Sequence, residues 1–219
     1  DCLFSGCVPS KTLLKIAAVY HKAGQMNGYG LPYVDRPKPD IDKINKHIQD
    51  VIHQIEEQDS PENLRRMGVE VIFSSPRFGS SHEIRLGDGR VLSAPKIVIA
   101  TGSSARIPPI PGLEESGYLT NEDMYSLPRL PKHLVVIGGG PVGLELGQAY
   151  LRLGSKLTVI DIAERILPRE EPEVSGIIHR QLTAEGAFVL TGNRVIRVEA
   201  HGDEKQLYLG SISDSSKNM

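Results

Sequence analysis

Two thiols open the chain. Cys2 and Cys7 stand in the run Cys2-Leu-Phe-Ser-Gly-Cys7-Val-Pro-Ser-Lys11 and are the only two cysteines among 219 residues. Such a pair stores two electrons by opening and releases them by closing to a disulfide. In a regular helix this spacing would separate the Cα atoms by about 7.5 Å along the axis and splay the side chains by roughly 140°. A disulfide needs Cα atoms within about 7 Å. The pair must therefore lie on distorted backbone to close, and Gly6 supplies the freedom for it. Pro9 suits a first helical turn, where its missing N–H costs nothing. A thiol at that helix start sits in a positive field that favours the thiolate. The spacing alone also fits two buried thiols, a static staple or half of a metal site. A zinc site would need two further ligands at fixed spacing, and the nearest histidine, His21, stands alone, so no metal is expected. Static staples belong to small secreted domains.

A second chemical motif lies further on, in Val135-Val-Ile-Gly138-Gly139-Gly140-Pro141-Val142-Gly143. This is a G-x-G-x-x-G that follows an apolar strand pattern and opens a helix pattern. Gly138 permits a tight turn, Gly140 lets a pyrophosphate approach the backbone, and Gly143 lets helix and strand pack closely. The helix start, with Pro141 and Val142 in its first turn, offers N–H groups and a positive dipole end to phosphate. Asp161 ends the next strand pattern, at about the 20-residue distance where a carboxylate accepts from a ribose 2′-OH and repels a 2′-phosphate. NAD(H) is expected on that ground, with NADP(H) left open by the nearby Arg165. Glu145 in the glycine-turn helix and Lys11 after the thiols are, taken singly, ordinary surface charges.

Composition narrows the classes. A formal charge of -2 leaves no basic excess for nucleic acid or an anionic membrane. No apolar run reaches the roughly 20 residues of a bilayer span. A cytoplasmic location is the expectation. Absence of tryptophan argues against a carbohydrate or single-strand stacking surface. The start at Asp1 and the polar stretch 211–219, expected to fray, read as the ends of a fragment.

The elements that must position these groups follow from periodicity. Residues 8–26 and 41–58 read as helices, the second with Ile41, Ile44, Ile48, Val51, Ile52 and Ile55 on one face. Ser60-Pro61 reads as an N-cap and first residue of a short helix ending near Gly68. Residues 69–73, 78–86, 91–94 and 97–100 read as strands, with Gly87-Asp-Gly89 as a hairpin turn. Proline-rich connectors at 107–112 and 128–131 place a boundary between domains 1–128 and 129–219. Strand 133–137, helix 141–153, strand 156–161 and helix 173–185 follow, then short strands near 188–190, 194–198 and 206–209. That alternation is a parallel α/β unit.

Together the redox segment, the run Ile97-Val-Ile-Ala100-Thr101-Gly102-Ser103 and the glycine turn ending in Gly143-Leu-Glu145 resemble the class I pyridine nucleotide-disulfide oxidoreductases, the flavoenzymes that include dihydrolipoamide dehydrogenase, glutathione reductase and mercuric reductase. The resemblance implies an α/β fold with two Rossmann-like, three-layer nucleotide-binding domains and a small antiparallel β-meander. It implies a partial FAD-binding domain over 1–128 and a truncated NAD(P)-binding domain over 129–219. The N-terminal βαβ unit and a C-terminal interface domain, through which the family dimerises and which carries its His-Glu base, would lie outside this sequence. FAD would lie beside the dithiol, near Gly6, Lys11, Ala100, Thr101 and Gly102. Cys2 would be the outer thiol that exchanges with substrate, and Cys7 the inner one against the flavin. Lys11 would approach flavin N5, held by Glu145. Where many relatives have Asn-Val, this chain has Phe4-Ser5, which leaves the dithiol intact but alters access to it.

The resemblance thus implies a flow of electrons from NAD(P)H through FAD and the dithiol to a small disulfide or to Hg(II). The runs 167–173 and 59–64 look most like mercuric reductase-like members, with dihydrolipoyl dehydrogenase the alternative. A rival of another class is a nucleotide-binding redox sensor without turnover.

Overall fold

The computed structural model describes residues 2–211, so most of the polar tail expected to fray lies outside the described residues. The chain forms two compact units, one from residues 1–52 and 105–219 and one from residues 53–104.

In the larger unit, helix α1 (Cys7–Ala23) is followed by a 3₁₀ turn (Met26–Tyr29), an extended segment and helix α2 (Ile41–Asp59). The apolar face read from the sequence is the buried one: Ile48 is fully buried, and Ile41 and Ile52 nearly so. They meet Leu13 and Ala17 of α1.

The parallel sheet of this unit has the order β4-β5-β6, from β4 (His133–Ile137), β5 (Lys156–Ile160) and β6 (Phe188–Leu190). Its crossovers are helices α5 (Pro141–Leu153) and α6 (Pro172–Ala184). Period-two alternation sorts the strand residues between two cores. Leu134, Val136, Leu157, Val159 and Val189 face the helices, where they pack with Leu144, Leu151, Ile178 and Leu182. Val135 and Ile160 face the other way, onto Leu113, Val195, Val198 and Leu207. That second layer is the antiparallel ribbon β7 (Asn193–His201) and β8 (Glu204–Ser211), with the short helix α4 (Leu113–Ser116) against it. Sheet, helices and ribbon make three layers.

Helix α5 is buried on two sides. Leu144 turns toward the sheet. Leu146, Ala149, Tyr150 and Leu153 turn toward α1 and α2. The Tyr150 hydroxyl donates to the Met124 carbonyl, which gives this buried phenol its partner.

At the far end of α5 the Arg152 guanidinium grips Glu185 through Nε–Oε2 at 2.8 Å and Nη2–Oε1 at 2.6 Å. Gln181 adds a third donor at 2.7 Å. Burial pushes the Glu185 carboxyl up, but these donors together outweigh it and hold it below its ordinary value. A carboxylate depressed in the fold stabilises above its unfolded value of 4.5, and that contribution is lost as pH falls through the lower folded value. Glu185→Gln should therefore cost about 2–3 kcal/mol at neutral pH. Urea unfolding followed from neutral pH into acid should show the variant's deficit shrinking as the wild type loses the same contribution.

The smaller unit holds the end of α2, helix α3 (Pro61–Arg66) and a meander of β1 (Arg77–Ser80), β2 (Glu83–Arg85) and β3 (Val91–Ser93) in the order β1-β2-β3. Ser60 caps α3 as expected, its Oγ accepting from the Asn63 N–H at 3.2 Å. The stretch 78–86, expected as one strand, is instead a hairpin. Ser80 Oγ accepts from the His82 N–H at 3.2 Å and turns the chain between β1 and β2. Residues 69–73 and 97–100 were expected as strands and join no sheet among the described residues. Phe73, Val98 and Ile99 are exposed. Apolar β-branched sequence becomes a strand only where a neighbour takes up its N–H and C=O groups, and the meander pairs with itself. No helix among the described residues is long and apolar enough to cross a membrane.

Candidate active site

The two sulfurs are joined. Cys2 and Cys7 form a disulfide with Cα atoms 4.5 Å apart. The distortion that closure demands is centred on Gly6, whose backbone (φ −124°, ψ −113°) lies outside both helix and strand regions. The turn is closed by the Val8 N–H donating to the Cys2 carbonyl at 2.9 Å. Asn121 ties it from outside, its Nδ2 donating to the Ser5 carbonyl at 3.1 Å. Both cysteine side chains remain exposed, while Pro9 just behind them is buried. An oxidised pair on a rigid base, open to a reaction partner, suits exchange chemistry.

Lys11 lies one turn beyond Cys7 on α1, and Glu145 lies in the second turn of α5, against which α1 packs. Both side chains are exposed, and among the described residues no ion pair joins them. The ion pair implied by the resemblance is thus not formed here. An exposed pair gains little Coulomb energy to hold two flexible side chains together. Between the two helices stands Tyr125, which is 3% exposed. Burial pushes its phenol up, a hydrogen bond with the Ser10 side chain opposes this, and the Glu145 charge adds to the rise. Ser10 in turn donates to the Cys7 carbonyl at 3.3 Å. Sequence reading missed Tyr125, because a tyrosine ahead of a proline-rich connector carries no periodic signal.

The glycine turn joins β4 to α5. Gly138 has φ +108°, a backbone that glycine adopts without strain. Gly139 and Gly143 are packed tight: a Cβ on Gly143 would lie 2.8 Å from Val136 Cγ1 and 2.9 Å from the Gly138 carbonyl oxygen. Gly140 differs, since a Cβ there would meet nothing within 4 Å. A Cβ on Gly138 would likewise meet nothing within 4 Å, so the open side of the turn runs along Gly138 and Gly140, the latter the N-cap of α5, ahead of Pro141 and the exposed Val142. The first-turn amides of Val142 and Gly143 have no carbonyl four residues back inside the helix. An open cradle at a helix start of this length fits a dinucleotide pyrophosphate.

Asp161 is buried at the end of β5, with Oδ2 accepting from the Gly139 N–H at 2.5 Å and Oδ1 from the Ala163 N–H at 2.7 Å. Each oxygen keeps a second lone pair, so the carboxylate retains acceptor capacity. Arg165 is tied elsewhere, its guanidinium donating to the Glu170 and Pro168 carbonyls at 2.8 and 2.9 Å.

Ala100, Thr101 and Gly102 belong to the smaller unit. They are exposed and lack regular structure, with Gly102 at φ +75°. Among the described residues no group of three or more His, Cys, Asp or Glu is placed to hold a metal ion.

The chain is 35% identical over 208 residues to mercuric reductase of Bacillus cereus, covering 95% of this chain and 33% of that protein. It is 30% identical to dihydrolipoyl dehydrogenase of Acholeplasma laidlawii, covering 91% and 60% respectively. The chain thus spans a third to three-fifths of these relatives. Among solved structures it superposes on the Cu(II) complex of the HOCl-induced flavoprotein disulfide reductase RclA from Escherichia coli with a TM-score of 0.73 and 26% identity, over 94% of this chain and 44% of that one. Residues 1–216 match the model of the pyridine nucleotide-disulphide oxidoreductases, and the chain belongs to that family.

Proposed function

We propose that the full-length protein transfers electrons from NADH, through FAD, to the Cys2–Cys7 disulfide and onward to substrate, in the manner of a mercuric reductase. The observation that carries this reading is the exposed disulfide at the start of α1, on a helix packed against the same α5 that opens at the glycine turn. Residues 1–128 would form part of the FAD-binding domain, and residues 129–219 part of the NAD(P)-binding domain. Gly138, Gly140, Pro141, Val142 and Gly143 would cradle the pyrophosphate. Asp161 would take the ribose hydroxyl and disfavour a 2′-phosphate, and Arg165, held by its own loop, would offer that phosphate nothing. Gly6, Lys11 and Glu145 of the larger unit would line the flavin side, and Ala100, Thr101 and Gly102 would keep the FAD-binding role that the family resemblance implies for them. FAD, when bound, supplies the two-electron relay between a hydride donor and the disulfide.

Two electrons open the Cys2–Cys7 bond and leave two thiolates, which take protons according to their pKa values. With a disulfide substrate, the Cys2 thiolate attacks one substrate sulfur and expels the other as thiolate. Cys7 then attacks the Cys2 sulfur, closes the protein disulfide and releases the second substrate thiol. With Hg(II), the same pair is a soft-metal donor set. Dimerisation through segments outside this sequence and a cytoplasmic location belong to the same proposal.

The test is steady-state NADH oxidation by the full-length protein with Hg(II), lipoamide and small aromatic disulfides, and the reverse reaction with dihydrolipoamide and NAD⁺. Hg(II)-dependent oxidation is the expected result. The similarity to dihydrolipoyl dehydrogenases supports the second reading, and faster dihydrolipoamide turnover would establish it instead. Reversible thiol oxidation without turnover on any substrate would leave the sensor reading standing and remove both enzyme readings.

A further inference from the structure

The loop between β5 and α6 does more than connect them. Gly139, the middle glycine of the turn, is held by both of its backbone groups. Its N–H donates to Asp161 Oδ2 at 2.5 Å, and its carbonyl accepts from the Leu167 N–H at 2.9 Å. Leu167 reaches that position with φ +49°, the only positive φ outside glycine among the described residues. A non-glycine residue there costs free energy, so the surroundings must hold it.

They do so on several sides. Ile166 is fully buried, and a Cβ on Gly139 would come 2.8 Å from its Cγ2. The Ile166 carbonyl accepts from Ser175 Oγ at 2.7 Å, and Ser175, from the first turn of α6, is 3% exposed. Arg165 folds the loop on itself through the Pro168 and Glu170 carbonyls. The Glu170 N–H closes a turn on the Leu167 carbonyl at 3.0 Å, and the Gly192 N–H pins Ala163 at 2.8 Å to the end of β6.

We infer that residues 162–171 form a strap that presets the phosphate-binding turn, with Leu167 and Ser175 as positioning residues that touch no substrate. Asp161 and the strap between them take up both backbone groups of Gly139 and leave the open side, along Gly138, Gly140 and the α5 start, for the ligand. Binding then incurs little ordering cost, because the turn already has its bound shape. The inference rests on the glycine turn being the nicotinamide nucleotide site.

Three variants of the full-length holoenzyme test it, with NADH binding measured by calorimetry. Leu167→Pro removes the N–H that reaches Gly139 and forbids the positive φ. It should weaken NADH binding by about tenfold or more. Leu167→Gly keeps both the N–H and the backbone geometry and should stay within about threefold of wild type. Ser175→Ala releases the Ile166 carbonyl and should weaken binding by about three- to tenfold. It also carries the test should the proline variant fail to fold. KM for NADH should rise in step with kcat at saturating NADH retained, and flavin content should be unchanged. Equal binding by wild type and Ser175→Ala would overturn the strap, as would losses in Leu167→Gly as large as in Leu167→Pro. A wild type that binds no NADH would instead overturn the reading of the site itself.

Discussion

Cys7→Ser in the full-length protein should lower NADH-driven turnover of disulfide or Hg(II) by at least about 10³-fold, because a nucleophile that works as a unit with its partner leaves little behind when removed. Cys2→Ser should do the same, since neither thiol alone can re-form the bond that links Cys2 to Cys7. Thiol titration after reduction of the protein should show one group fewer in each. The exposed setting of both sulfurs means the loss is chemical rather than a collapse of packing: the buried residues of that corner are Pro9 and Leu13, which neither substitution touches. Retention of most of the turnover in either variant would sink the assignment of the pair as the relay.

The second large effect separates packing from ligand room within one turn. Gly143→Ala puts a methyl 2.8 Å from Val136 Cγ1 and 2.9 Å from the Gly138 carbonyl oxygen. The first contact is a branched core side chain and the second is backbone, so neither yields cheaply. A destabilisation of about 1–3 kcal/mol is expected, together with loss of NADH affinity. Gly140→Ala meets no protein atom within 4 Å and sits at φ −79°, so the melting temperature should hold. NADH affinity should nonetheless fall by about tenfold or more, because the proposed site brings the pyrophosphate against the Gly140 backbone, where the methyl would stand. If Gly140→Ala binds NADH as wild type does, the cradle has been placed on the wrong side of the turn.

Much of the parallel α/β part of the chain was legible in the sequence. β4 and α5 begin and end where their patterns do, because a buried strand, a glycine turn and an N1 proline are all strong local signals. Ser60 and the isoleucine face of α2 were legible for the same reason. What was not legible depends on partners distant in sequence. Residues 97–100 have the composition of a strand and no pairing neighbour among the described residues. The Ser80 turn hides inside an otherwise continuous strand pattern. Lys11 and Glu145 could be named from family likeness, but not the Tyr125 phenol that stands with Ser10 and Glu145 between their helices. Leu167 is the clearest case: nothing in a Leu-Pro pair announces a left-handed backbone.

The double-sided burial of α5 sets a rule for anyone re-engineering this scaffold. Its two stripes, Leu144 on one side and Leu146, Ala149, Tyr150 and Leu153 on the other, couple the parallel sheet mechanically to the helix that begins at Cys7. A transplant that exchanges the sheet and its crossover helices for homologous ones would therefore have to carry α1 and α2 with it, or else re-cut both seams at once.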